Sequence, residues 1–150
     1  MNQFDFVDKE ILRLLRKDAR KAYSQIAQEL KISNSLVHQR IRKMKSEGVI
    51  KNAEIVLDEE KVGYNTKSYI GIRLREAHFA EKVVKSLEGI EEVVECNYVS
   101  GNYAIFILVY GKNNDHLKHV LYEKIHHIEG VAGTDTFICF STNFKRSVAV

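Results

Sequence analysis

The chain has 150 residues, 45% hydrophobic and 29% charged, a composition that fits one globular domain or two small ones. No run approaches the roughly 18 consecutive apolar residues of a membrane span. The acidic opening MNQFDFVDKE does not read as a signal peptide, so a cytoplasmic protein is expected. Charge is divided unevenly: residues 1–51 hold 12 Lys and Arg against 6 Asp and Glu, and residues 52–150 hold 11 against 14. A basic N-terminal third at +6, beside a remainder at −3, points to a polyanion as the partner of one end.

Phe6 to Leu15 has helical spacing, with Val7, Ile11, Leu14 and Leu15 as its core face. Ser24 to Ile50 then reads as two short helices and a tight turn. Ser24 is the expected N-cap of a helix with Ile26, Ala27 and Leu30 inward. Lys31 and Ile32 form the turn, Ser33 caps the next helix, and Gly48 ends it in a left-handed conformation. This is the pattern of a helix-turn-helix, whose second helix enters the DNA major groove.

Stepping 100° per residue from Val37 gathers Val37, Ile41 and Met44 into a buried stripe. Ser35, Gln39, Arg42 and Ser46 point the opposite way, flanked by His38 and Lys43. Gln39 and Arg42 suit base edges, since glutamine pairs bidentately with adenine and arginine with guanine. His38 and Ser35 lie close by, and Asn34 belongs to the same DNA-binding set. Ser24, Ser33, Lys43 and Lys45 are the expected phosphate contacts. Arg40 lies at the edge of the inner face, which predicts a structural salt bridge to Asp8 in preference to a base contact.

After Gly48 the period changes. Val49, Ile50, Ile55 and Val56 look extended, and Asp58 to Gly63 looks like a short turn of helix. The expected division is a DNA-binding domain over 1–50, a linker strand and short helix over 51–65, and a second domain over 66–150. The remainder alternates: strand Tyr69–Leu74, helix His78–Leu87, strand Val93–Val99, a tight loop at Ser100-Gly101-Asn102, strand Tyr103–Tyr110, helix Asp115–Ile128 and strand Thr134–Phe140. Cys96 and Cys139, far from any CxxC spacing, are expected as buried free thiols.

The order βαββαβ, with Leu87-Glu88-Gly89-Ile90 echoed by Ile128-Glu129-Gly130-Val131, predicts a ferredoxin-like sandwich with both helices on one face. The fold class is therefore α+β, a helix-turn-helix (winged-helix-like) domain followed by a ferredoxin-like one. The apolar strand Tyr103–Tyr110 is too greasy for a solvated face, which predicts at least a homodimer.

These motifs together resemble the Lrp/AsnC family, the leucine-responsive or feast/famine transcription regulators, over nearly the whole chain. The resemblance is carried by the opening Asp5-x-x-Asp8-x-x-Ile11-Leu12, by Asp18-Ala19-Arg20, and by Ser33-x-Ser35-x-Val37-x-x-Arg40-Ile41-x-x-Met44-x-x-x-Gly48-Val49-Ile50. Ser100-Gly101-Asn102-Tyr103 and Thr134-Asp135-Thr136 complete it. It implies a dimeric regulator on double-stranded DNA, often assembled to an octamer, that senses an amino acid or related metabolite through its C-terminal domain. The effector positions that carry over are Gly101, Asn102, Tyr103, Ala104, Thr134 and Thr136. Two departures stand out. The family's G-x-x-D hairpin acid, which helps hold the ligand's amino group, is Ala104 here, and Lys31 stands where the turn often has glycine.

His116, His119, Glu123 and His126 share one helix face, a spacing that suits a divalent ion, but a solvated face of a His-rich helix looks the same. No G-x-S-x-G, P-loop or H-E-x-x-H is present, and no catalytic residue, metal or cofactor is expected. One alternative is a sirohaem-decarboxylase-like enzyme on the same scaffold. That would call for histidine and arginine in the C-terminal domain, whose arginines are only Arg73, Arg75 and Arg146. The other is an effector-sensing module whose helix-turn-helix does not touch DNA.

Overall fold

The computed structural model describes residues 4–148. The chain forms two compact units. One runs to Val56 and takes up residues 146–148, and the other is Leu57–Lys145.

In the first unit, α1 (Phe6–Lys17), α2 (Tyr23–Leu30) and α3 (Asn34–Ser46) enclose a core of Ile11, Leu12, Leu14, Ile26, Ala27, Val37, Ile41 and Met44. Leu12 extends the expected stripe of α1, while Val7, Leu15 and Leu30 are only partly covered. Asp5 caps α1: its side chain accepts from the Asp8 N–H at 2.9 Å, and Asp8 answers the Asp5 N–H, which closes a capping box. Ser24 does not cap α2. The helix starts one residue earlier, and its N-cap is Ala22, which has no side-chain acceptor to offer. Ser33 does cap α3, accepting from the Leu36 N–H at 3.1 Å.

Both α2 and α3 end in the same left-handed motif. Ile32 N–H reaches back to Ala27 O and Lys31 N–H to Gln28 O; Val49 N–H reaches Met44 O and Gly48 N–H Lys45 O. Gly48 adopts φ 71° at no steric cost, whereas Lys31 adopts φ 53°, the one positive φ outside glycine among the described residues. That conformation is the physical reason a glycine suits position 31.

The expected linker strand is not present: residues 51–58 form no strand, and Ile55, Val56 and Leu57 are exposed. A strand exists only through a ladder, and this segment has no ladder partner among the described residues. Asp58–Gly63 does turn, through Val62 N–H to Asp58 O and Tyr64 N–H to Glu59 O.

The second unit is a four-stranded antiparallel sheet in the order β2-β3-β1-β4, from β1 (Thr66–Leu74), β2 (Val93–Tyr98), β3 (Ile105–Gly111) and β4 (Val131–Cys139). Helix α4 (Ala80–Glu88), entered through a 3₁₀ turn at Ala77–Phe79, and helix α5 (Asn114–His119) supply the other layer. Ile70, Ile72, Ile105, Ile107 and Val109 face Val83, Leu87, Leu117, Val120 and Ile125 in its core. This is the ferredoxin-like arrangement.

The long helix expected over Asp115–Ile128 instead passes from α5 into a π segment, Val120–Ile125. Val120 and Ile125 are five residues apart and both fully buried, a spacing that an α-helix would place on different faces. The hairpin is also longer than expected. β3 begins at Ile105, and the connection closes with Val99 N–H to Ala104 O. Neither cysteine is buried: Cys96 is exposed because β2 is an edge strand, and Cys139 is half-covered at the end of β4.

Candidate nucleic-acid interface and effector face

The recognition helix is built from its buried side outward. Val37, Ile41 and Met44 are at most 2% exposed, which fixes the rotation of α3 about its axis. Ser35, Gln39, Arg42 and Ser46 consequently stand in solvent, with Asn34, His38, Lys43 and Lys45 also exposed. Ser33 Oγ lies 3.0 Å from Ser35 Oγ, so the cap and the first outward hydroxyl are coupled. Lys43 has a loose contact with Glu47, 3.9 Å away, and Ser46 Oγ donates to the Lys43 carbonyl. Ser24, though not a cap, is exposed near the start of α2.

Arg40 is spent inside the unit. Its Nη1 donates to both Asp8 carboxylate oxygens at 3.2 and 3.3 Å and to Asp5 Oδ2 at 2.5 Å. The Asp8 N–H, followed by Arg40, holds the Asp5 carboxyl below its usual range. The expected salt bridge between Arg40 and Asp8 is present, and Asp5, whose spacing to Asp8 is a capping-box signature, joins it. Tyr23 was missed: its ring meets the His38 imidazole edge-on at 4.8 Å.

The sequence-derived effector positions fall on two faces of the second unit. Tyr103 lies across the open sheet face over Gly71, where a Cβ would come within 2.6 Å of the ring. It joins Phe106 and Phe137 there, with centroids 6.0 and 6.4 Å away. Beside it, Arg73 is ion-paired with Asp135. The Arg73 guanidinium and then the Tyr103 hydroxyl hold the Asp135 carboxyl below its ordinary value.

Ala104 instead packs against the core beneath the sheet, and its N–H donates to Ile72 O. Thr134 pairs with Ile72 from the other side of β1, and its Oγ1 lies 2.8 Å from His126 Nε2. Gly101, at φ 112°, and Asn102 are exposed at the hairpin tip, and Thr136 is exposed on β4.

The histidine row does not converge. His116 accepts from Lys112 N–H and faces Glu92, while His126 contacts Thr134 and Tyr122. Among the described residues no group of three or more His, Cys, Asp or Glu is placed to hold a metal.

A helix-turn-helix with an outward polar and basic row, joined to a ferredoxin-like sandwich, defines a class of DNA-binding regulator with a sensing domain. Residues 7–51 match the winged helix-turn-helix DNA-binding family, and residues 67–149 match the Lrp/AsnC ligand binding domain. The chain is 39% identical over 148 residues to regulatory protein AsnC of Haemophilus influenzae, covering 99% of each. The structure of E. coli AsnC superposes with a TM-score of 0.94 at 34% identity, covering 99% of each chain. The feast or famine regulatory protein of M. tuberculosis, solved with L-methionine, gives 0.91 at 26% identity, covering 99% of this chain and all of that one. The chain belongs to the Lrp/AsnC family, and it is a DNA-binding transcription regulator with a ligand-binding C-terminal domain.

Proposed function

We propose that the protein acts as a homodimer whose two α3 helices read half-sites about one helical turn apart on double-stranded DNA. The supporting observation is the solvent-facing row Ser35, Gln39, Arg42 and Ser46 on a helix whose opposite face is sealed in the core. Gln39 and Arg42 read base edges, with His38, Asn34 and Ser35 beside them. Ser24, Ser33, Lys43 and Lys45 contact phosphates. The proposed division of labour is reading within 1–50, a linker over 51–65, and sensing and assembly within 66–150, although residues 146–148 pack with the first unit.

The dimer forms through the sheet face away from α4 and α5, where Tyr69 is 36% and Phe137 49% exposed beside Phe106 and Tyr103. Further assembly, up to an octamer, follows the family pattern. The effector is a small metabolite of the amino-acid class, bound near the hairpin and the Thr134–Thr136 stretch. The methionine complex of the M. tuberculosis relative supports that class. With Ala104 in place of an acid, the charge that meets an ammonium group comes from a different residue.

The protein works in the cytoplasm, and no reaction is assigned to it. No helix among the described residues is long and apolar enough to cross a membrane. The tetrapyrrole-enzyme alternative is disfavoured because Arg73 is paired with Asp135 and Arg75 donates to Val131 O, so neither is poised for a ligand carboxylate.

Fluorescence anisotropy on duplex DNA from upstream of the protein's own gene, against a scrambled duplex and over a salt series, tests the reading. Tight, salt-steep binding that prefers the natural duplex is expected, with a shift when the twenty amino acids are added. Equal binding to both duplexes at every salt concentration would remove the DNA-reading assignment. Preference with no shift would remove the amino-acid effector alone.

A further inference from the structure

Tyr23 is the first residue of α2, half-buried against the core of its unit. With Leu12, Ile41 and Lys45 it also lines a groove of about 650 Å³. The ring is thus anchored on one side. On the other it meets the exposed His38 imidazole, with centroids 4.8 Å apart and planes at 75°. His38 neighbours Gln39 in sequence and lies one helical turn from Arg42, so the contact joins a core-anchored ring to the DNA-facing side of α3.

An exposed histidine on a helix has several staggered rotamers open to it. Edge-on packing against an immobile aromatic ring favours one orientation over the others. A side chain already held in its bound orientation loses less freedom when its partner arrives. We infer that Tyr23 is a positioning residue for DNA recognition: it holds the His38 imidazole in the orientation in which it meets the duplex. Tyr23 therefore contributes to sequence preference without touching a base. The ring supplies the contact, so phenylalanine should substitute for tyrosine. This inference rests on the proposed reading of the outer face of α3.

The test is a double-mutant cycle in the full chain, with Tyr23→Leu, His38→Ala and their combination, and Tyr23→Phe as the rescue. Affinity is read by anisotropy on the upstream and scrambled duplexes. Tyr23→Leu is expected to lose roughly three- to tenfold on the preferred duplex and less on the scrambled one. It should cost nothing further once His38 is alanine, and Tyr23→Phe should match the wild type.

Additive losses in the cycle would overturn the inference, as would equal losses for Tyr23→Phe on both duplexes, which would mark a hydroxyl–phosphate contact. Wild-type protein without duplex preference, or His38→Ala binding as wild type does, would overturn the underlying reading of α3. The imidazole proton resonances of His38, assigned by their loss in His38→Ala, give a second measurement should Tyr23→Leu fail to fold. They should carry a ring-current shift that Tyr23→Phe retains, and ordinary histidine shifts in the wild type would overturn the inference.

Discussion

Arg40 Nη1 lies 3.2 Å from Asp8 Oδ2, so the recognition helix is pinned to the capping box that starts the first helix of the unit. Asp8 is 5% exposed and Arg40 is its cationic partner, which ties the pitch of α3 to the beginning of α1. Arg40→Met keeps the aliphatic stem but strands that carboxylate. It should cost about 1–3 kcal/mol in urea unfolding. DNA binding should weaken on preferred and scrambled duplexes alike, because the whole helix loses its support. Loss of sequence preference with unchanged stability would instead make Arg40 a base contact.

Arg42 and Lys43 are adjacent in sequence and point in different directions from the axis of α3, which separates readout from attraction. Arg42→Ala should cost roughly 1–3 kcal/mol on the preferred duplex and relax preference at one base pair. Lys43→Ala should weaken all duplexes equally and make the salt dependence shallower by about one ion. Quantitative binding to a panel of single-base-pair variants discriminates the two. If both substitutions lowered preferred and scrambled binding in equal proportion, neither residue would read bases.

Glu92 gives the second unit an acid-sensitive anchor. It is 8% exposed and accepts from Lys124 Nζ at 2.7 and 2.8 Å. His116 Nε2 lies 3.2 Å away, and because Lys112 N–H donates to His116 Nδ1, the proton of the neutral ring sits on Nε2, facing Glu92. Burial pushes the Glu92 carboxyl up, but the Lys124 hydrogen bond, a backbone N–H and the Lys124 charge carry it below its ordinary value. A depressed folded value means stability that is present above the ordinary glutamate pKa and lost as pH falls through the folded one. Glu92→Gln should cost about 1–3 kcal/mol at neutral pH, and the difference from wild type should shrink on acidification. Urea titrations from neutral pH down through the carboxylate range measure this, and a constant gap between the two proteins would refute it.

What the sequence made legible were features set by local spacing. The Val37, Ile41 and Met44 stripe, the Ser33 cap, the Gly48 stop and the βαββαβ order all follow from periodicity or from short-range backbone geometry. What escaped depends on partners distant in the chain. Arg73 and Asp135 meet because β1 and β4 are neighbours, Tyr103 settles over Gly71 across a strand, and Tyr23 reaches His38 between helices. The π segment at Val120–Ile125 was hidden for a different reason: its apolar residues also fit an α-helical stripe, and only the packing chooses between the two. Cys96 reads as buried from its apolar neighbours, but an edge strand leaves it in solvent.

The two helix-ending echoes look alike in sequence and differ in backbone. Gly130 adopts φ 100°, and a Cβ there would lie 2.4 Å from Phe79 Cβ. Gly89 has φ −79°, and its nearest neighbour, Ser86 O, would be at an ordinary 3.5 Å. Gly130→Ala meets both left-handed strain and overpacking, and should cost about 2–4 kcal/mol. Gly89→Ala should be neutral or stabilising by up to about 1 kcal/mol, since it only restricts the unfolded chain. Thermal melts of the two variants compare them directly, and similar losses would mean that the two turns are conformationally equivalent.

Phe137 and Ile138 are successive residues of β4 with nearly equal exposure, 49% and 46%, yet they stand on opposite faces of the sheet. Phe137 pairs with Tyr69 on the open face and lies 6.2 Å from the Phe106 ring. Ile138 pairs with Ser68, which is fully buried on the helix side. If the open face joins two copies, a carboxylate at Phe137 must be desolvated among aromatic rings with no partner for its charge. Phe137→Glu should then weaken the dimer by about 3 kcal/mol or more, which is over a hundredfold in dissociation constant. Ile138→Glu introduces the same charge on the same strand but on the other side, and should leave the dimer intact. Sedimentation velocity over a concentration series reads both. Monomer from Phe137→Glu alone assigns the interface to the open face, whereas equal effects, or none, would place the contact between copies elsewhere.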